Sequence, residues 1–357
     1  MKKIVLGMAA GMAVLVPCLA KPLDFNQPIV GVEQKAAKED QGIHEVPDLF
    51  YGIAAKEYVV RLKDMGVNMI TVPISREGQD PLVAFLKGIK DEQGDRFLSI
   101  VISHRKWSLD RESQRESWAT AVAKTYNAID DAGLGGMVKA CRFDENDPLR
   151  GKASTADQWQ VHFDAILDAM DRLNQKTNNA FKSKTVLMHG EGLGANFKGV
   201  HKAHVQSGFD QKMRERCINY GFTFKLFDQG EPPNGKSSDI REWEQHFRGH
   251  CGLDELSQLN QPVLFVGNAG DGLFPRSLDK EFKLRGANQW YFAPRALLKI
   301  FKEYQWSHFA FGPFLVKSDK GGRTYLHTVE NGKIVERSEQ LEDWKRWKDA
   351  VSKPSLP

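Results

Sequence analysis

The chain has 357 residues, a formal net charge of +4 and 27% charged residues. It is large enough for one big domain or two ordinary ones. Loss of Lys2 and Lys3 on cleavage of an N-terminal leader would bring the charge to +2, and no basic stripe is present, so nucleic-acid binding is not expected.

Residues 1–20 read as a signal peptide. Lys2 and Lys3 form a basic start, Ile4 to Val16 is apolar, and Cys18-Leu19-Ala20 puts small residues at the minus-three and minus-one positions of a cleavage site. The run is too short to favour a membrane span. The expectation is an exported chain, periplasmic or secreted, that begins at Lys21 and holds to no membrane after cleavage. Residues 21–48 are polar and are expected to wrap the outside as a short N-terminal extension, with residues 49–357 forming one domain.

Short apolar runs then alternate with amphipathic ones. Phe50 to Ile53 is the expected first strand, and Glu57 to Met65 the helix after it, with Val59, Leu62 and Met65 on one side. Further strands are expected at Asn68 to Ile74, Phe97 to Ile102, Gly136 to Phe143, Thr185 to Met188, Phe222 to Phe227, Pro262 to Val266 and Ser307 to Phe314. The expected helices between them are Pro81 to Ile89, Glu112 to Asp131, Thr155 to Gln175 with Thr155 as N-cap, Asp210 to Asn219, Asp239 to Phe247 and Pro294 to Glu303. Residues 324–337 read as a hairpin turning at Asn331-Gly332, and Leu341 to Val351 as a closing helix. Eight strands alternating with helices predict a parallel sheet, and at this length a closed (β/α)8 TIM barrel. The competing open doubly wound sheet lacks a Gly-rich phosphate loop after an early strand.

Chemistry in such a barrel lies at the C-terminal ends of the strands. Those positions carry His104, Arg105, Lys106 and Trp107; Arg142, Asp144, Glu145 and Asp147; His189 and Glu191; Asp228 and Glu231; and Asn268 and Asp271, with Trp306 near the eighth strand. Acids interleaved with aromatic rings suit carbohydrate, because rings stack on sugars and carboxylates bond hydroxyls. Glycosidic hydrolysis needs two carboxyl groups flanking the bond, and Asp144, Glu145, Glu191 and Asp271 are the candidates. Arg142, His104, Arg105, Trp107, His189, Asp228, Asn268 and Trp306 are candidate substrate contacts. Arg142 and Asp144 also fit a structural ion pair, and His189 a satisfied strand-end histidine. His104 to Lys106 would suit an anionic group on the sugar, or form a solvated loop. Trp118, Trp159 and Trp243 lie within helices and read as packing residues.

The segment "YVVRLKDMGVNMITVPIS" resembles cellulase-like glycoside hydrolase barrels, in which a helix ending in a Met-Gly or Leu-Gly step precedes a strand ending in Pro. "FLSIVISHRKW" resembles their third strand, which ends in His and Trp. Those families place Asn-Glu-Pro after strand four, where this chain has Glu145-Asn146-Asp147-Pro148. They place a nucleophilic Glu after strand seven, where it has Asn268. A second resemblance is to the α-amylase-like clan, through Arg142-Phe143-Asp144, Gly190-Glu191 and Asp271, the last with altered spacing. That resemblance implies Asp144 as nucleophile, Glu191 as acid/base, Asp271 as transition-state stabiliser and Arg142 as the cation that keeps Asp144 ionised.

The expectation is a glycosidase that needs no cofactor and no metal. Two alternatives stand beside it. One is a carbohydrate-binding barrel that has lost catalysis, suggested by Asn268. The other is a sugar isomerase or phosphodiester hydrolase with Mg²⁺ or Ca²⁺ held by the mouth acids. The His201-to-His204 spacing does not suit a helical metal pair. Cys141, Cys217 and Cys251 form an odd set after cleavage, and Cys217 with Cys251 is the one disulfide considered.

Overall fold

The protein is represented by a computed structural model. It describes residues 22–34, 50, 52–73, 80–93, 98–104, 109, 111–143, 155–189, 196–225, 239–268, 288–312, 314–317, 326–336, 341–342, 344–345 and 347–349. Eight parallel strands close into a barrel in sequential order: β1 Val30–Glu33, β2 Met69–Pro73, β3 Ser99–His104, β4 Val138–Phe143, β5 Thr185–His189, β6 Asn219–Lys225, β7 Val263–Asn268 and β8 His308–Gly312. The sheet shuts where β8 pairs with β1, Val30 opposite Phe309 and Val32 opposite Phe311. The expected (β/α)8 barrel is the observed fold.

The expected first strand is corrected. Phe50 and Gly52 lie in turns and Ile53 outside any strand, while Val30–Glu33, from the segment expected to lie outside, is β1. Both stretches are short apolar runs with an internal glycine, so periodicity cannot separate them. Closure decides, because β1 fills the gap between β8 and β2.

Outside the barrel run α1 Ala55–Met65, α2 Asp80–Gln93, α3 Glu112–Asp131, α4 Ala156–Lys176, α5 Val200–Ser207, α6 Phe209–Arg214, α7 Ile240–Gln245, α8 Leu253–Ser257 and α9 Asn288–Glu303. Where one helix was expected over Asp210 to Asn219, α6 ends at Arg214 and 219 already belongs to β6; α5, set off from α6 by Gly208 at φ +61, is a further helix before it. The N-cap at Thr155 is present, its hydroxyl accepting from the Gln158 N–H. Helix α1 ends at Gly66, whose left-handed φ of +69 lets the Gly66 N–H reach the Lys63 carbonyl and the Val67 N–H reach Leu62. Residues 341–342, 344–345 and 347–349 are helical, and there Trp344 packs on Phe309 and Trp347 on Phe265 and Phe311. The hairpin is also found: β10 His327–Glu330 and β11 Lys333–Glu336 turn at Asn331-Gly332, and β10 pairs in parallel with β9 Leu315–Lys317.

Two apolar layers result from the alternation of each strand. Outward residues such as Val32, Ile70, Ile100, Cys141, Val186, Phe222, Phe265 and Phe309 meet the helices, with Trp118, Trp159 and Trp243 buried among them as expected. Inward residues Met69, Val101, Ala140, Leu187, Leu264, Val266 and Ala310 fill the barrel together with Leu23 and Ile29. Gly31 belongs to this inner set, since a Cβ there would meet the Met69 side chain at 2.6 Å. Cys141, Cys217 and Cys251 are buried thiols, and the Cys217–Cys251 disulfide is not formed. Burial pushes the Cys217 and Cys251 thiols up to about 12, which leaves them protonated and weak as nucleophiles.

Candidate functional site

One pleat above the apolar filling, the inward residues change character. Glu33 ends β1, Thr71 stands in register with it on β2, and Ser103 and Arg142 are register partners on β3 and β4. His189 and Thr223 are register partners on β5 and β6. All six are buried. Polar and charged groups therefore follow one another from β1 to β6 just below the C-terminal rim, and beside Glu33 β8 contributes Gly312, the register partner of Asn268 on β7.

The centre of this layer is an ion pair. Arg142 Nη2 donates to Glu33 Oε1 at 2.5 Å and lies 3.5 Å from Ser103 Oγ. Both side chains are only 3–4% exposed. Strands β1 and β4 are not neighbours, so the pair crosses the barrel interior over β2 and β3. Local structure fixes Glu33 firmly. The Phe314 N–H bonds its carbonyl, the Gln34 N–H bonds Thr71, and Gln34 Oε1 accepts from the Tyr58 hydroxyl at 2.8 Å. Gly312 leaves the room Glu33 needs, since a Cβ at 312 would stand 2.4 Å from the Glu33 Cβ.

The second polar unit is His189 with Thr223. Its Nδ1 is hydrogen-bonded to Thr223 Oγ1, which also lies 3.3 Å from the Met188 carbonyl. On the helix side of β5, His162 is buried, and burial holds its ring down to about 4, so it is neutral at ordinary pH.

Several candidate residues are now placed. Arg142 stands inside the barrel, and its described carboxylate partner is Glu33, where the sequence pattern pointed to Asp144. His189 also faces inward, bonded to Thr223. His104 ends β3 in register with Phe143, and Asn268 ends β7 in register with Gly312. Trp306 is corrected. It precedes β8, so it sits at the N-terminal end of the barrel, buried against Phe301 and Tyr304, and cannot serve a sugar at the mouth. Asp144, Glu145, Glu191, Asp271, Arg105, Trp107 and Asp228 lie outside the described residues. The chain reaches them from the described strand ends: Asp144 follows Phe143 of β4, Glu191 comes two residues after His189 of β5, and Asp271 three after Asn268 of β7. Because the strands are parallel, those three ends open at one face.

Sequence reasoning missed Glu33. Its signal was present in "IVGVE", a carboxylate closing a short β-branched run, but the run was given to the extension. His204 Nε2 is hydrogen-bonded to the Tyr220 hydroxyl at 2.7 Å, and that hydroxyl donates to Asp210. Among the described residues no group of three or more His, Cys, Asp and Glu could hold a metal ion, and no helix is long and apolar enough to cross a membrane.

No family profile matches the chain, and no curated protein matches it in sequence. Solved structures do. The chain is similar to the catalytic domain of a mannanase from Streptomyces sp. SirexAA-E, with 12% identity, a TM-score of 0.55, and 98% of each chain covered. It is similar to an endocellulase from Pyrococcus horikoshii solved with cellotetraose, at 11% identity and TM-score 0.53, covering 90% of this chain and 93% of that one. It is also similar to the β-mannanase of Thermomonospora fusca in its mannotriose complex, at 10% identity and TM-score 0.51, covering 92% and 93%. At these identities the likeness is one of fold: the chain has the (β/α)8 barrel that these glycoside hydrolase structures share.

Proposed function

We propose that this protein is an exported glycosidase that cleaves a poly- or oligosaccharide with two carboxyl groups at the mouth of the barrel. The observation that carries the reading is the common face of β4, β5 and β7, from which the chain runs directly into Asp144 and Glu145, Glu191, and Asp271. In this reading Asp144 is the nucleophile or charge stabiliser. Glu191 protonates the leaving oxygen, and Asp271 supports the developing positive charge. The basic residues Arg105 and Lys106 would favour a sugar bearing an anionic group. The shared fold with mannanase and endocellulase structures supports a glycan substrate, and the basic-then-apolar start of the chain supports export.

Asn268 favours a second reading. It ends β7, where cellulase-like barrels carry a nucleophilic carboxylate and an amide cannot attack. In that reading the barrel binds a glycan without cleaving it. One screen separates the two: reducing-end release from galactomannan, carboxymethyl cellulose, mixed-linkage β-glucan and a polyuronate, with and without EDTA, beside calorimetric binding of mannotriose and cellotetraose. Chelator-insensitive release from one glycan is the expected result. Binding without release favours the non-catalytic barrel, and release abolished by EDTA and restored by Mg²⁺ or Ca²⁺ contradicts the two-carboxylate mechanism.

A further inference from the structure

The ion pair beneath the mouth needs a reason for being ionic. One pleat lower the same barrel is filled by Met69, Val101, Ala140, Leu187 and Ala310, so an apolar solution to filling this space exists in the same molecule. Taking two charges out of water is costly, and a buried pair often stabilises no more than apolar residues of the same volume. What the pair supplies is position. A guanidinium is a planar fork with fixed donor directions. Here it is held from β1 by a carboxylate whose own backbone is tied on both sides and whose side chain is accommodated by Gly312.

We propose, resting on the glycosidase reading above, that Glu33 is a positioning residue for the reaction. Its carboxylate fixes the Arg142 guanidinium at the floor of the mouth, two residues before Asp144 in the chain. Glu33 acts through Arg142 and does not touch the sugar. Arg142 supplies the positive charge that keeps a neighbouring carboxylate ionised. Glu33 sets where that charge sits.

The test uses the full mature chain and the polysaccharide that wild type cleaves in the screen. Glu33→Gln keeps the shape and removes the charge. It is expected to lower kcat by about 10²-fold, the usual cost of misplacing a group near the reacting centre, while KM changes little. Arg142→Ala is expected to lose activity similarly. Millimolar guanidinium chloride should restore part of its rate, and should restore none in Arg142→Ala/Glu33→Gln, where no carboxylate remains to seat the ion. A purely structural pair would show neither the kcat-specific loss nor a rescue that depends on Glu33. Glu33→Leu/Arg142→Met covers the case in which single variants fail to fold. It should unfold near the wild-type temperature and yet be inactive. Wild-type kcat in Glu33→Gln, equal rescue with and without Glu33, or a double replacement that unfolds far below wild type would overturn the positioning role. Those outcomes leave the glycosidase reading standing. A wild-type chain that cleaves no glycan removes both.

Discussion

The two ends of the barrel are closed in different ways. At the N-terminal end, residues 22–29 fold under the strands, and Leu23 and Ile29 join the inner apolar cluster with Phe25 against it. Neutral side chains there bond main chain. Asn68 accepts from the Val30 N–H and donates to the Pro28 carbonyl, Asn219 donates to the Leu23 carbonyl, and His308 Nδ1 accepts from the Ile29 N–H. At the C-terminal end the described floor is a buried ion pair joining non-adjacent strands, flanked by Ser103 and by His189 with Thr223. These bonds tie the starts of β1, β2, β6 and β8 to the segment beneath the barrel, which serves stability. The charged end holds a cation in a chosen place at the cost of desolvation. This division matches the general separation in such barrels between a stabilising face and a reactive one.

Acid should attack the neutral groups first. Burial pulls His308, His162 and His327 down to about 4 from an ordinary 6.5. The unfolded chain therefore binds protons before the folded one does. The stability these rings contribute is complete above pH 6.5 and is lost as pH falls through 4. A shift of this size corresponds to roughly 3 kcal/mol per histidine at full effect. For His308 there is a further cost, because protonating Nδ1 ends its bond from Ile29. Urea unfolding midpoints measured between pH 7 and 4 should fall steeply, with the His308 ring still neutral by NMR at pH 5. A His308 ring that titrates near 6.5 would contradict the description of the closed end.

A smaller effect is expected at Asn68. Replacing it by alanine removes the acceptor of the Val30 N–H and the donor to Pro28, and should cost about 1–3 kcal/mol, as for a buried group left unpaired. Since the damage lies at the far end from the mouth, kcat/KM on any cleaved glycan should not change at temperatures where the variant is folded. A variant that is equally stable, or that loses turnover while folded, would blur the separation of the two ends.

Most of the barrel was legible because its signals are local. The "FLSIVISH" run, the long periodic helix after Thr155 and the Asn331-Gly332 turn each carry their own punctuation, and β3, α4 and the β10–β11 hairpin are where these signals put them. What was not legible depends on closure. Val30–Glu33 and Phe50–Ile53 look alike as short apolar runs, and only the partners offered by β2 and β8 select the first. The same error hid Glu33, and with it the described carboxylate partner of Arg142. The i, i+2 spacing of Arg142 and Asp144 was visible in sequence. The carboxylate 109 residues away was not, because its contact exists only across the closed barrel. Trp306 is a different case, because its end of the barrel was legible. Its place precedes the strand expected at Ser307 to Phe314, and a residue before a strand stands at the N-terminal end, away from the mouth.

In the proposed reaction the charged end acts on a glycan through Asp144 and Glu191. The most direct measurement is turnover by Asp144→Asn and Glu191→Gln on the glycan that wild type cleaves, with unfolding temperature and glycan binding followed in parallel. Each variant should stay folded, bind the glycan as wild type does, and lose on the order of 10²-fold or more in kcat. Near-wild-type rates in both, with activity abolished by Glu145→Gln or Asp271→Asn instead, would contradict the assignment.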